Sequence, residues 1–238
     1  MFILSFENRG PAALRLGLVT GAGIDAESLP PGFDNELDAL LRRRATGLSQ
    51  EEDAWRSRVR DILRNGTYKP TGRGKPASEY LLRSAAEARF PRISAPVDVC
   101  NFVSLLSLLP ISIWDLDRSP SDSFRVRLGA PDESYVFNEA GQSIDLTDLV
   151  LGAAVTDSAP EGVPIVNPVK DGLTTKTTPA TRRVAALVYA PDEDGPAGTL
   201  AEIARRFAAL LAACGDASAS FAVLDPGARV ELSSEGDR

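Results

Sequence analysis

Residues 91–117, PRISAPVDVCNFVSLLSLLPISIWDLD, decide how the rest of the chain is read. From Ile93 to Asp117 the stretch holds no Lys, Arg or Glu, so whatever it forms is enclosed on most sides. A helix over about Val97 to Leu108 places Val99, Phe102, Val103 and Leu106 on one stripe. Cys100, Ser104 and Ser107 fall on a second stripe, small enough for close packing. Asp98 and Asn101, three residues apart, share the remaining face. A buried polar group without a partner costs roughly 1–3 kcal/mol, which leaves two readings. Either Asp98 caps the helix N-terminus and Asn101 ties down a neighbouring loop, or the pair lines a pocket in which Asn101 orients a substrate and ISIWDLD forms the opposite wall.

Upstream, ALRLGLVTGAGID predicts a buried strand with Leu14, Leu16 and Leu18 on one face and Gly17 and Val19 on the other. Gly21, Gly23 and Ala26 mimic a dinucleotide fingerprint, but Pro30, Pro31 and Gly32 stand where its helix must run. DNELDALLRRRATG and SQEEDAWRSRVRDILRNG predict two amphipathic helices, the second with Ser49 as N-cap and Gly66 as its stop signal. TYKPTGRGKPAS is a basic Gly/Pro-rich loop without the Walker spacing, and a helix bearing Tyr80, Leu81 and Leu82 follows it. Downstream come short strands: SFRVRLG, a hairpin in SYVFNEAGQSIDL and the apolar RRVAALVYAP. A helix with a Thr199/Glu202 capping box and a last strand, SASFAVLDPG, close the pattern. The expectation is one α+β domain over residues 1–228, helices packed on mixed and antiparallel sheets, with 229–238 a flexible tail.

The 238 residues are 43% apolar and 25% charged, an ordinary balance for a folded globular chain. No apolar run approaches the roughly 20 residues that cross a bilayer, and MFILSFENRG lacks the basic head and long apolar stretch of a secretion signal. The expected location is the cytoplasm. There is no histidine, which removes imidazole acid–base chemistry, Ser-His and Cys-His triads and HExxH zinc sites; no metal and no cofactor is expected. Cys100 and Cys214 lie in apolar segments and read as buried thiols. The net charge of -7 is unevenly spread: residues 40–95 hold 13 of the 26 Lys+Arg but 6 of the 33 Asp+Glu. A basic segment on an acidic protein is either a set of arginine-solvated helix faces or a surface for phosphates.

PVDVCNFVSLLSLLPISIWDLD resembles the segment of the bacterial phenylalanyl-tRNA synthetase beta subunit that reads N-P-V-V-D-x-T-N-Y-V, an apolar stretch, then Q-P-x-H-A-F-D, in its tRNA-editing domain. It is still more similar to the free-standing proteins built from that domain alone. The likeness runs backward through YKPTGRGKPASEYLLR and RFPRI, and forward through FNEAGQSIDLTDLVL to TKTTPATRRVAALVY, which resembles the free-standing family's R/K-T-x-x-T-x-x-T-R ending; it spans about residues 10–190. The resemblance implies an α/β editing domain that binds the aminoacylated 3′ end of tRNA and hydrolyses a wrongly attached amino acid. Asp98 and Asn101 match the family's helix Asp and Asn, Trp114 its Phe and Asp115 its Asp; with Ser112 and Thr181 they are the expected substrate-binding residues. Ser112 stands where the synthetase has a pocket histidine, so neither its tyrosine specificity nor an imidazole mechanism carries over.

Ester hydrolysis without that imidazole needs a positioned water and a polarised carbonyl. Lys176, Thr177 and Thr178 are the catalytic candidates; the bland alternative is that GLTTKTTPATRR is a polar loop in which Thr178 caps a turn before Pro179. Lys69, Arg73, Lys75 and Arg92 are the expected tRNA contacts, and Lys176 is an alternative phosphate contact. Two other functions stay open: a non-catalytic module binding an amino acid or related small molecule, and a hydrolase of another small ester or amide. Clustering of Arg42, Arg43, Arg44, Lys69, Arg73 and Lys75 around the pocket that holds Asn101 would favour tRNA.

Overall fold

The computed structural model describes residues 2–7 and 13–232. Strands β1 (Phe2–Phe6) and β2 (Leu14–Ala22) precede helices α1 (Phe33–Ala45), α2 (Gln50–Asp61), α3 (Ala77–Ala86) and α4 (Ala95–Ser107). Strands β3 (Ile111–Asp115), β4 (Ser123–Leu128), β5 (Ser134–Val136), β6 (Ser143–Asp145), β7 (Val150–Thr156), β8 (Ala159–Val166) and β9 (Arg183–Pro191) follow. Helix α5 (Leu200–Ala212) then leads to β10 (Ser218–Leu224) and β11 (Arg229–Leu232). One sheet runs β11-β1-β4-β7-β8 and a second β10-β2-β9-β3, while β5 and β6 pair only with each other. All ladders are antiparallel except β1 with β4.

Period-two alternation sorts the central sheet's side chains into two cores. Leu14, Leu16 and Leu18 of β2, Leu187 and Tyr189 of β9 and Trp114 of β3 face the five-stranded sheet and meet Phe2, Leu4, Phe6 and Phe124. Val19, Val184, Ala186, Val188, Ile111 and Ile113 face the helices, against Phe33, Trp55, Val99, Phe102 and Phe207. The result is a mixed α/β domain in three layers, helices on sheet on sheet, as the strand and helix patterns predict. Gly17 is what lets α5 lie so close to β2: a Cβ there would stand 3.1 Å from Leu200 Cδ1.

Helix α4 is buried on nearly all sides and ends at Leu108 in the left-handed conformation, just before Pro110. Its last carbonyls need donors. Arg44 supplies them, donating through Nε to Leu105 O at 3.1 Å and through Nη2 to Leu106 O at 3.0 Å; Trp55 Nε1 takes Ser107 O at 3.0 Å. Arg44 is therefore 1% exposed, with Glu52 as its counter-charge at 2.6 Å. It is a cap for α4 and not a surface cation.

Two local expectations are corrected. Helix α2 stops at Asp61, so Gly66 does not cap it; Gly66 sits with φ 46° where a Cβ would collide with the Asp148 carboxylate, which accepts from Thr67 N. The segment expected to fray from residue 229 contributes β11, paired with β1 through Leu232. No helix among the described residues is long and apolar enough to cross a membrane.

Candidate active site at the free edge of β3

Strand β3 is the last strand of its sheet, so half of its backbone groups lack a ladder partner. The chain between β8 and β9 supplies one from a side chain: Ile113 N donates to Asp171 Oδ2 at 3.1 Å. Next to it Ser112 Oγ donates to Asn167 O at 2.9 Å and lies 3.1 Å from the Tyr189 hydroxyl. Asp171 is drawn in by this edge contact, yet its Oδ1 is enclosed without any hydrogen-bond partner. Thr175 Oγ1 is orphaned in the same way.

Desolvation pushes the Asp171 carboxyl up to about 7, held from rising further by Ile113 N–H and the Lys176 charge. The Cys100 thiol on α4 is pushed well up by burial and by the Asp171 charge, and the Tyr135 and Tyr189 phenols are raised, again mainly by burial. Gly172 fixes the turn beyond Asp171: its N–H bonds Ile165 O at 2.7 Å, and a Cβ would lie 2.6 Å from that same oxygen.

The β5–β6 hairpin is tied to this segment. Tyr135 hydroxyl donates to Lys170 O and accepts from Asn167 Nδ2, both at 2.6 Å. Lys176 Nζ donates to Phe137 O at 2.6 Å, and Lys170 Nζ stands 4.0 Å from the Phe137 ring centroid. Two lysines thus hold the residue that follows β5, one by its carbonyl and one by its ring.

The residues singled out in the sequence separate into several groups. Ser112 and Lys176 converge on Asp171. Asp115, 1% exposed, accepts from Asp117 N at 2.7 Å, Arg118 N at 3.3 Å and Thr181 Oγ1 at 2.5 Å; Thr181 Oγ1 accepts in turn from Thr178 N at 2.7 Å. Thr178 Oγ1 takes Ala180 N at 3.2 Å, the turn cap of the bland alternative, and Thr177 is half-buried beside it. Asp98 accepts from Arg92 Nε and Ile93 N, each at 2.7 Å, and so clamps the loop entering α4. Arg92, expected on tRNA, is committed to Asp98 and to Asp34 at 2.8 Å. Trp114 lies between the sheets, edge-on to Phe124. Asn101 is half-buried and its side chain makes no hydrogen bond among the described residues.

Lys69 and Arg73 are exposed and Lys75 half-exposed, on the loop closed by the Tyr68 hydroxyl bonding Gly74 O at 2.5 Å. That loop docks beside the carboxyl segment, because Ala77 N donates to Pro168 O at 2.8 Å. Arg43 instead lines a separate cleft with Leu106 and Arg206 near the end of α4. No group of three or more Cys, Asp or Glu that could hold a metal ion occurs among the described residues.

Sequence reading missed Asp171 by one residue, since the motif it followed begins at Gly172. A local signal was present: Pro168, Lys170 and Gly172 mark a turn directly after the apolar end of β8.

Fold and site together define a three-layer mixed α/β domain with a histidine-free cluster of ionisable groups at a sheet edge. No family model matches the chain, and no curated protein sequence matches it. Among solved structures it is similar to an N-terminal fragment of the phenylalanyl-tRNA synthetase beta subunit from Pyrococcus horikoshii, at 11% identity and a TM-score of 0.37. That match covers 85% of this chain and 46% of the fragment, so the chain spans about half the fragment's length.

Proposed function

We propose that the protein deacylates a mischarged aminoacyl-tRNA, with Asp171 as general base. The observation that carries this reading is the Ala77–Pro168 hydrogen bond, which sets the cationic loop of Lys69, Arg73 and Lys75 beside the segment bearing the Asp171 carboxyl, one of whose oxygens is enclosed without a partner. Phosphate contacts and a proton acceptor are the two things the reaction requires. The sequence resemblance to editing domains supplies the substrate.

In this mechanism the Asp171 carboxylate removes a proton from water as the water oxygen attacks the ester carbonyl. The carbonyl electron pair moves to oxygen, where the Lys176 ammonium and the Thr175 or Thr177 hydroxyl stabilise it. Collapse expels the ribose oxygen, which recovers the proton from Asp171. A carboxyl near 7 suits this work, because a base must be unprotonated at working pH and still hold a proton well.

One observation favours a second reading, the non-catalytic amino-acid binding module: Asp171 Oδ1 is enclosed, as a site for a bound ammonium would be. The deciding experiment measures release of labelled amino acid from a panel of correctly and incorrectly charged tRNAs. Selective release from one mischarged species, reduced about 10²–10³-fold in Asp171→Asn and also lowered in Lys176→Ala, is expected. Binding of a free amino acid with no release from any tRNA would replace the hydrolase by the binding module.

A further inference from the structure

Between α2 and α3 lies a cleft of about 310 Å³ whose lining includes Arg56, Lys75, Tyr80, Leu82 and Arg83. Glu79, its one lining carboxylate, is already gripped by Arg60 through both oxygens. Arg56 pairs through Nη2 with Asp53 at 2.6 Å, which leaves its Nε–H enclosed and without an acceptor. Lys75 on the same lining forms no salt bridge among the described residues, so the cleft carries positive charge that its own carboxylate, already held by Arg60, does not meet.

The rest of the lining includes an apolar part. Tyr80 is 37% exposed and its hydroxyl donates to Arg73 O at 3.0 Å, which fixes the ring's edge at the cleft. Leu82 and Ala86 continue that surface. A free phosphate would use only the cationic side, whereas a nucleotide uses both: phosphate on the cations and base on the ring. Lys69 and Arg73 extend the positive charge beyond the cleft, as a strand with more than one phosphate requires.

We propose that this cleft holds one nucleotide of a single-stranded RNA, its phosphate on Arg56 and Lys75 and its base stacked on Tyr80. The site deepens the tRNA reading above and rests on it for the choice of RNA, and it adds Arg56 and Tyr80 to the cationic loop that reading already uses. The cleft works by binding alone, with no bond made or broken.

The test is fluorescence anisotropy with a labelled, uncharged single-stranded RNA oligonucleotide, and separately with inorganic phosphate as competitor, on the full chain. Tyr80→Leu is expected to weaken RNA binding about tenfold and leave phosphate competition unchanged. Lys75→Gln and Arg56→Gln should weaken both and each lower the salt slope by about one. Lys75 lies on a surface loop, so its variant keeps the proposal testable should the Arg56 variant fold poorly. Phosphate competition without any effect of Tyr80→Leu would overturn the nucleotide assignment, and RNA binding indifferent to all three changes would overturn the site. Since the probe carries no aminoacyl ester, absence of deacylation with RNA binding intact breaks the hydrolase reading alone.

Discussion

Two carboxylates flank β3 and are met in opposite ways. Asp115, at the strand's C-terminal end, is surrounded by three donors, and one of them, Thr181 Oγ1, passes the tie on to Thr178 N. Asp171, at the strand's open edge, receives one backbone N–H and keeps an enclosed oxygen with nothing attached. A buried acid that is fully hydrogen-bonded has spent its polarity on holding the chain. One that is half satisfied retains free energy that a ligand, a water or a reacting group can take up. The contrast gives Asp115 a structural role and leaves Asp171 as the group on which the proposed chemistry rests.

The sharpest way to break the contrast is to remove each acid and ask which property fails. Asp115→Ala strands three donors, Asp117 N, Arg118 N and Thr181 Oγ1, and should cost about 2–4 kcal/mol, read as a fall in the urea midpoint. Release per folded molecule should change little. A variant that kept its midpoint and lost activity would move the chemistry to Asp115. A somewhat smaller loss is expected from Gly172→Ala, whose Cβ meets Ile165 O at 2.6 Å and must push the turn away from β8. That strain is worth about 1–3 kcal/mol, and it should shift Asp171 relative to β3. Hydrogen exchange at Ile113 N–H, bonded only to Asp171 Oδ2, should therefore accelerate more than exchange within β9.

The sequence marked Asp98, Asn101 and Asp115 for a reason that worked against a catalytic reading. A polar residue inside an apolar run is conspicuous, but the same enclosure obliges the fold to satisfy it, and Asp98 and Asp115 are both saturated. Asp171 lies in a polar, turn-like stretch where an acid is unremarked. Only the meeting of β3 with the chain after β8, over 50 residues away in sequence, buries it. The same distinction governs the fold. Strands β2 and β9 and the caps at Ser49 and Thr199 were legible, since alternation and capping are local. Strand β8 was obscured by Pro160 and Pro164, which are tolerated because it is an edge strand of its sheet. The paired segment at 229–232 depends on β1, at the other end of the chain.

A subtler separation of the two acids uses pH. Asp171 titrates near 7 in the folded chain and near 3.9 when unfolded. Between those values the folded state keeps a proton that the unfolded state has released, so this group's contribution to stability falls as pH rises from about 4 to 7 and is constant above. Asp171→Asn abolishes that loss. Its unfolding free energy, compared with wild type, should therefore improve steadily across the window, by a margin greater at pH 8 than at pH 4. A difference independent of pH would show that the carboxyl titrates in the ordinary range and would erase the contrast with Asp115.

The smallest effect belongs to Lys176. Its ammonium holds Phe137 O and lowers the Asp171 carboxyl by charge, against the desolvation that raises it. Lys176→Met removes one charged hydrogen bond at a partly exposed position, so about 1 kcal/mol of stability is at stake. The informative quantity is the direction of the titration: with the positive charge gone, the carboxylate loses stabilisation and its midpoint must move above 7. The acid limb of the deacylation profile should shift to higher pH with it, and recover in Lys176→Arg if the charge is what counts. A lowered rate with an unmoved limb would mean that Lys176 acts on the ester oxygen or on a phosphate and leaves the base untouched. Asp171 would then owe its position on the pH scale to burial at the β3 edge, opposed by the Ile113 N–H and not by the lysine.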